Sequence, residues 1–334
     1  MKILRNLLFF SLLLGSLSFF AGCAHQQERN TMKFTNSEGL VWNTQFHLTY
    51  NGPESITDSA RSLLADLGHT LSVFDTASMV SRVNRQDSTP VNSDFIRVWA
   101  MARKVNKLSN GAFDPTVSPL ITAWGFGPGH KISPDTARID SLMQFVGIQK
   151  THVRKDALIK DNPGIQFNFS AIAKGYGCDR IGEMMKKNGI SDYLIEIGGE
   201  LAASGHNAEG GKWRVAIDRP LFEDSVISHT SQMVIEFSDM GMATSGNYRN
   251  FHRERNQTLG HTISPVSGRP IQTSILSATV LAPTAMEADA LATAFMALPE
   301  NEATTLARKL HLPVLLIMEN EIWTTPEFRK LIRK

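Results

Sequence analysis

Near the C-terminus the chain carries "EADALATAF" (287–295), in which Asp289 and Thr293 stand four positions apart. On a helix that spacing puts both on one face, one turn apart, among alanines and a leucine. Two hard oxygen donors so placed suit Mg²⁺ better than zinc, for which neither a set of soft cysteines nor a histidine pair is at hand. The bland alternative has the Thr293 hydroxyl bonding back to Asp289, or both groups capping a neighbouring loop. A second stretch, "NFSAIAKGYGCDR" (168–180), reads as a helix start with Ser170 as N-cap and Ala171 to Lys174 as the first turn. Free N–H groups there and the Lys174 ammonium would favour a phosphate. The glycine spacing is not that of a Walker loop, and an ordinary helix start with its lysine in solvent is the competing reading.

Two further regions are unusual as core filler. "NGAFDPTVSPLITAWGFG" (110–127) combines proline with a Trp-Gly-Phe-Gly turn. It reads as a rigid loop able to hold a flat ligand against backbone, or as a structural turn. "ATSGNYRNF" (243–251) and "GHTISPVSGRP" (260–270) are short, polar and turn-forming, and they bring in His261. A lone histidine in such a segment can act as a base or merely hydrogen-bond the turn.

These segments need elements to hold them. "VWNTQFHLTY" (41–50) alternates as a strand does, and "SITDSARSLLADLGHTLSVF" (55–74) has helical spacing behind Ser or Asp caps. "SDFIRVWAMARKVNKLSNG" (93–111) predicts an amphipathic helix stopped at Asn110-Gly111. Between 112 and 170 the chain is rich in proline and glycine, with short strands such as "HVRKDALIK". A helix follows from about Ala171 to Asn188-Gly189, then strand-like runs at 192–205, 213–218, 232–239 and 275–283. The helix bearing Asp289, another over 300–310 and a last strand, "PVLLIME", complete the order. Strands and helices mix without regular βαβ alternation, which predicts an α+β fold of mixed sheets with helices packed on them. No repeat, heptad or low-complexity tract interrupts it.

The first residues stand apart. Lys2 and Arg5 precede the apolar run "NLLFFSLLLGSLSFF", which ends in Ala21-Gly22-Cys23. This is the layout of a secretory signal, and its ending resembles a bacterial lipoprotein signal, with Cys23 lipidated and residues 1–22 removed. Phe20 stands where such signals more often carry leucine, and an uncleaved membrane anchor is the competing reading. Residues 23–38 read as a polar tether and 39–334 as the folded domain. Loss of Lys2 and Arg5 cancels the formal charge of +2, which gives no electrostatic reason to propose nucleic acid as a partner. With Cys23 acylated, Cys178 is left alone and no internal disulfide can form.

Together "GAFDPTVSPL…WGFG", "SAIAKGYGCD", "IGGELAASG", "TSGNYRN", "HTISPVSGRP" and "EADALATAF" occur in the order found in the ApbE family. The chain resembles that family over roughly residues 40–325. The resemblance implies an FAD:protein FMN transferase with an ApbE-like, T-fold-related architecture. Such an enzyme moves FMN from FAD to a serine or threonine hydroxyl of an acceptor protein and releases AMP, with Mg²⁺ as cofactor. It also implies exported, membrane-bound acceptors, such as flavoprotein subunits of membrane redox complexes. The anchor would be a palmitoylated lipoprotein's, on the inner membrane and facing the periplasm or outer side.

By the same resemblance, Asp289, Thr293 and the Ala171 carbonyl would hold Mg²⁺. Ala112, Phe113, Asp114, Phe74, Lys174 and Ile263 would contact FAD, and His261 is the candidate base. The chain departs from the family pattern at Asn168 and Ser264, where aspartates are usual, and at Trp42-Asn43-Thr44 in place of Met-Gly-Thr. Asn168 can accept a hydrogen bond from the nucleotide without charge. Trp42 could stack on a flavin or adenine ring, or narrow the pocket. Two other functions need the same features: hydrolysis of FAD to FMN and AMP, or FAD binding without chemistry.

Overall fold

The structure, a computed structural model, describes residues 34–85, 90–125, 136–218, 231–246, 251–254, 257–260, 262–271 and 273–333. The first third holds strands β1 (Thr35–Val41) and β2 (Thr44–Tyr50) and helices α1 (Ile56–Leu71), α2 (Met79–Asn84) and α3 (Ser93–Leu108). Then come α4 (Ser118–Ala123), α5 (Thr136–Met143), β3 (Thr151–Arg154), β4 (Ala157–Lys160) and α6 (Ala173–Lys187). Strands β5 (Tyr193–Ile197), β6 (Glu200–Ser204), β7 (Trp213–Asp218), β8 (Ser231–Phe237) and β9 (Met240–Gly246) follow. The chain continues through β10 (Phe251–Glu254), β11 (Gln257–Gly260), β12 (Ile275–Ala282), α7 (Ala285–Met296) and α8 (Glu300–Leu310). It closes with β13 (Val314–Met318), β14 (Ile322–Thr324) and α9 (Pro326–Arg329).

Eight strands form one antiparallel sheet in the order β1-β2-β5-β6-β9-β12-β13-β14, with three separate two-stranded hairpins beside it. The architecture is α+β, as expected. Period-two alternation divides the central strands between two cores. Val314, Leu316 and Met318 join the main core with α1, α3, α6 and α7, while Leu315 and Ile317 join Trp213, Phe237 and Phe328 on the other side. Both faces are covered, so "PVLLIME" is a continuous apolar run even in an antiparallel sheet.

Several boundaries differ from the sequence reading. The strand expected over 41–50 is a hairpin, β1–β2, whose turn residues Trp42 and Asn43 both have positive φ (49° and 60°). The ordered chain therefore includes Thr35 to Glu38, a segment read as tether. The 110–127 loop contains α4, begun by Pro119 in its first turn. Ser170 does not cap α6: the helix starts at Ala173 after Ile172, and no side chain caps it. Instead, the Ser170 N–H donates to Asn168 Oδ1 at 2.9 Å.

Candidate functional site

Helix α7 is buried on nearly all sides, which suits its alanine-rich sequence. Two glycines let neighbours approach it closely. A β-carbon at Gly175 of α6 would come within 2.2 Å of the Ala285 carbonyl oxygen, and one at Gly241 of β9 within 2.1 Å of the Ala285 nitrogen. The N-terminus of α7 is held by side chains. Thr284 Oγ1 accepts from the Glu287 N–H at 3.2 Å. The two Asp179 oxygens accept from Ala285 and Met286 at 2.8 and 2.9 Å. Burial lifts the Asp179 carboxyl to about 6 against the pull of those two donors. Rigid placement of α7 fixes what projects from it.

Asp289 and Thr293 project into a cavity of about 1170 Å³ formed where α6, α7, β6 and β9 meet the 112–117 and 262–265 segments. Asp289 is only 2% exposed. Its Oδ2 accepts from the Gly175 N–H at 3.0 Å, one of the donors left free at the start of α6. Thr293 Oγ1 lies 3.2 Å from Ser245 Oγ. Neither group bonds the other, and the bland alternative of a Thr293–Asp289 bond is not what forms.

Lys174 reaches into the same space and pairs with Glu200 Oε2 at 2.7 Å. One ammonium thus faces two buried carboxylates. Burial pushes the Glu200 carboxyl up to about 8 and also raises Asp289, with Lys174 pulling both back. Burial opposes the charge on Lys174, but Asp289 and Glu200 outweigh it and keep the ammonium protonated. Hard-oxygen chemistry and depth fit a small divalent cation at Asp289 and Thr293. Among the described residues no group of three or more His, Cys, Asp or Glu could hold a metal. The remaining ligands would be backbone carbonyl, substrate phosphate and water, a set Mg²⁺ commonly takes and zinc does not.

The cavity collects most of the residues singled out in the sequence: Phe74, Ala112, Phe113, Asp114, Asn168, Ala171, Lys174, Ile263, Asp289 and Thr293 all line it. Phe74 is 65% exposed at the lining, an aromatic face open to a ring. Asp114 is buried and raised by burial, but its oxygens are already engaged. They accept from the Thr116 N–H and hydroxyl, the Ile148 N–H and Asn106 Nδ2. Its carboxylate pins the loop, so the segment meets the cavity through backbone and neighbouring side chains. Asn168 Oδ1 is spent on Ser170 as noted. Ser264 keeps a turn-closing role, its Oγ accepting from Val266 and Ser267 N–H groups at 3.2 and 3.1 Å.

Trp42 is not brought to the cavity. Its indole lies against α1 and α6, where β-carbons at Gly68 and Gly177 would come within 2.9 and 3.1 Å of it. It is partly buried and packs against the main core. His261 and Cys23 lie outside the described residues, although Thr262, next to His261, lines the cavity. Sequence reasoning missed Glu200 as a site residue. The signal was present in "IGGELAASG", where a lone carboxylate opens a strand buried along its length.

The chain matches the ApbE family over residues 42–316. It is 35% identical over 306 residues to an FAD:protein FMN transferase of Haemophilus influenzae, covering 86% of this chain and 88% of that one. A Vibrio cholerae protein of the same name is 33% identical over 319 residues, covering 92% and 93%. The solved flavin transferase ApbE from Vibrio cholerae superposes with a TM-score of 0.79 at 30% identity, over 90% of this chain and 99% of that one. The apo flavinyl transferase ApbE of Pseudomonas stutzeri gives 0.81 at 29% identity, over 90% and 96%. With the six ordered motifs, the fold and the cavity in agreement, this chain belongs to the ApbE family.

Proposed function

We propose that this protein transfers FMN from FAD to a serine or threonine hydroxyl of an acceptor protein, with Mg²⁺ at Asp289 and Thr293. The observation that carries the reading is one cavity holding a buried carboxylate, a hydroxyl one turn on, and a lysine at a helix start. The relatives named above supply the reaction class. The acceptor oxygen attacks the FMN phosphorus, the bond from that phosphorus to the bridging oxygen breaks, and AMP leaves with that oxygen. The hydroxyl proton passes to a base, for which His261 is the candidate.

Mg²⁺ held by Asp289, Thr293 and the Ala171 carbonyl would neutralise charge on the pyrophosphate as that bond breaks. Lys174 pulls the Asp289 carboxyl back toward its ionised form against burial and adds positive potential beside the phosphates. Phe74 offers its exposed ring to an aromatic system of FAD. Cys23, carrying lipid after loss of residues 1–22, would hold the domain at a bacterial membrane outside the cytoplasm. There it would meet flavoprotein subunits of membrane redox complexes. The motive is "FFAGC" after an apolar run with a basic flank.

The deciding experiment is mass spectrometry of a co-expressed acceptor fragment. An acceptor heavier by FMN supports transfer. An unmodified acceptor with FMN and AMP free in solution would make the protein a hydrolase instead.

A further inference from the structure

A second cleft, of about 720 Å³, opens beside the cavity and shares Asp114 and Pro265 with it. Its long wall is the C-terminal half of α3, which contributes Arg103, Lys104 and Lys107. All three are exposed, and Arg103 and Lys107 are four residues apart on one helical face. The charges are not equally engaged. Lys104 pairs with Glu287 of α7 at 2.7 Å. Arg103 stacks on the Trp99 ring at 5.0 Å. Neither Arg103 nor Lys107 has an acidic partner among the described residues. The carboxylate lining the cleft, Asp114, is buried and saturated by its own donors. Opposite the helix, Val266 stands 72% exposed on a turn, an apolar contact on a basic lip.

From this geometry we infer that the cleft docks an acidic segment of the acceptor protein, next to the hydroxyl that is modified. The inference rests on the transferase reading, because it takes the neighbouring cavity as the place of chemistry. Because both linings include Asp114 and Pro265, an extended chain held in the cleft lies directly beside the cavity. Solvated, open cations on a helix match carboxylates spread along a peptide. They do not enclose a single phosphate, which would ask for buried donors. The bound segment would carry aspartate or glutamate on the side of the hydroxyl that faces α3.

The test uses the full chain loaded with FAD and Mg²⁺. The probe is a fluorescent peptide containing one threonine flanked by aspartates, compared with its asparagine counterpart. Anisotropy should show tighter binding of the aspartate peptide, weakening as salt screens it. Arg103→Glu with Lys107→Glu should cut that binding at least about tenfold, the scale of two lost charge pairs of moderate strength. Arg103→Gln with Lys107→Gln should give an intermediate loss and guards against misfolding by charge reversal. FAD binding, read from flavin fluorescence, should stay at the parent's value in all variants.

Equal affinity for the two peptides, or binding indifferent to both double variants, would overturn the inference. Displacement of the aspartate peptide by inorganic phosphate or AMP at concentrations matched in ionic strength would also overturn it, by making the cleft an anion site. The two readings separate cleanly. If the peptide binds through α3 but no acceptor is ever flavinylated, the transferase reading fails, and the cleft keeps only its preference for acidic peptides and loses its role in docking an acceptor. If transfer to an acceptor proceeds unchanged in the double variants, the cleft fails and the transferase stands.

Discussion

Asp289 Oδ2 accepts a hydrogen bond from the Gly175 N–H at 3.0 Å, so a carboxylate on α7 occupies a donor that α6 cannot satisfy itself. The contact exists because Gly175 has no side chain. Its position faces the Ala285 carbonyl and Asp289 Cβ, which a β-carbon would meet at 2.2 and 2.8 Å. Backbone atoms cannot move aside as a flexible side chain can. Gly175→Ala should therefore spread α6 from α7 and destabilise the fold by about 1–3 kcal/mol, the range for an overpacked core. It should also reduce FMN transfer more than the stability loss alone accounts for, because Asp289 is displaced with α7. Urea midpoints and transfer rates for the same preparation check both. A variant as stable as its parent would show that α6 and α7 have room between them for the added methyl.

Asp289→Ala should abolish Mg²⁺-dependent turnover while the protein remains folded. The carboxylate is the one charged ligand proposed, and hard cations depend on charged oxygens. Thr293→Val keeps the shape and removes the hydroxyl, so it should raise the Mg²⁺ requirement less severely. The check is transfer rate against Mg²⁺ concentration, beside circular dichroism of each variant. Full activity of Asp289→Ala at limiting Mg²⁺ would make α7 a purely structural helix.

Helices were the most legible part of this sequence because apolar spacing is local, whereas the caps read from it did not form: Ser55 precedes α1 without a side-chain cap bond and Ser170 does not cap α6. The cap of α3 is Asn92, which the sequence reading did not single out, its Oδ1 accepting from the Phe95 N–H at 2.9 Å, and α7 and α8 fall where the apolar spacing puts them. The β1–β2 hairpin was not legible. Its turn has tryptophan at positive φ, a position that ordinarily signals glycine or asparagine. What holds Trp42 there is tertiary: its indole fills space left by Gly68 and Gly177, far along the chain. Asp289 and Thr293 could be paired from spacing alone, since one helix carries both. Glu200 could not be paired with Lys174, because nothing local says that the start of β6 faces the start of α6.

Lys174→Met tests that pair. Removing the ammonium leaves Asp289 and Glu200 buried with no counter-cation among their described neighbours; a broken buried pair costs at most about 3–5 kcal/mol, and less as burial lets a carboxyl take up a proton. Tm should fall accordingly, and Mg²⁺ should restore part of it, because a cation at Asp289 replaces the missing charge. The rescue should vanish in Lys174→Met combined with Asp289→Ala. Glu200→Gln keeps the shape and leaves Lys174 to Asp289, so it should cost less than Lys174→Met. Thermal shift with and without Mg²⁺ reads all four proteins. A Lys174→Met protein whose Tm does not respond to Mg²⁺ would argue against a cation at Asp289.

Cys23 should be the mature N-terminus. Intact-mass analysis of protein extracted from membranes is expected to show loss of residues 1–22 and the added mass of several acyl groups, since one chain alone anchors weakly. Recovery of a chain that retains Met1 through Gly22 would overturn the lipoprotein reading and leave the apolar run as an uncleaved anchor.

His261 carries the last prediction. It immediately precedes Thr262, which lines the cavity with Ile263 and Pro265. Attack by a hydroxyl on phosphorus needs its proton removed, and imidazole titrates near the working pH. His261→Ala should slow transfer by about 10²–10⁴-fold, the usual scale for a lost general base. FAD affinity should hardly change, because the role belongs to the transition state and not to ligand binding. The measurement is FMN transfer to an acceptor peptide at saturating FAD and Mg²⁺, beside a separate FAD titration. A variant with normal turnover at saturation but weak FAD binding would make His261 a nucleotide contact. The proton would then have to leave through another group, and the carboxylates at the cavity, Asp289 and Glu200, would be the next to test.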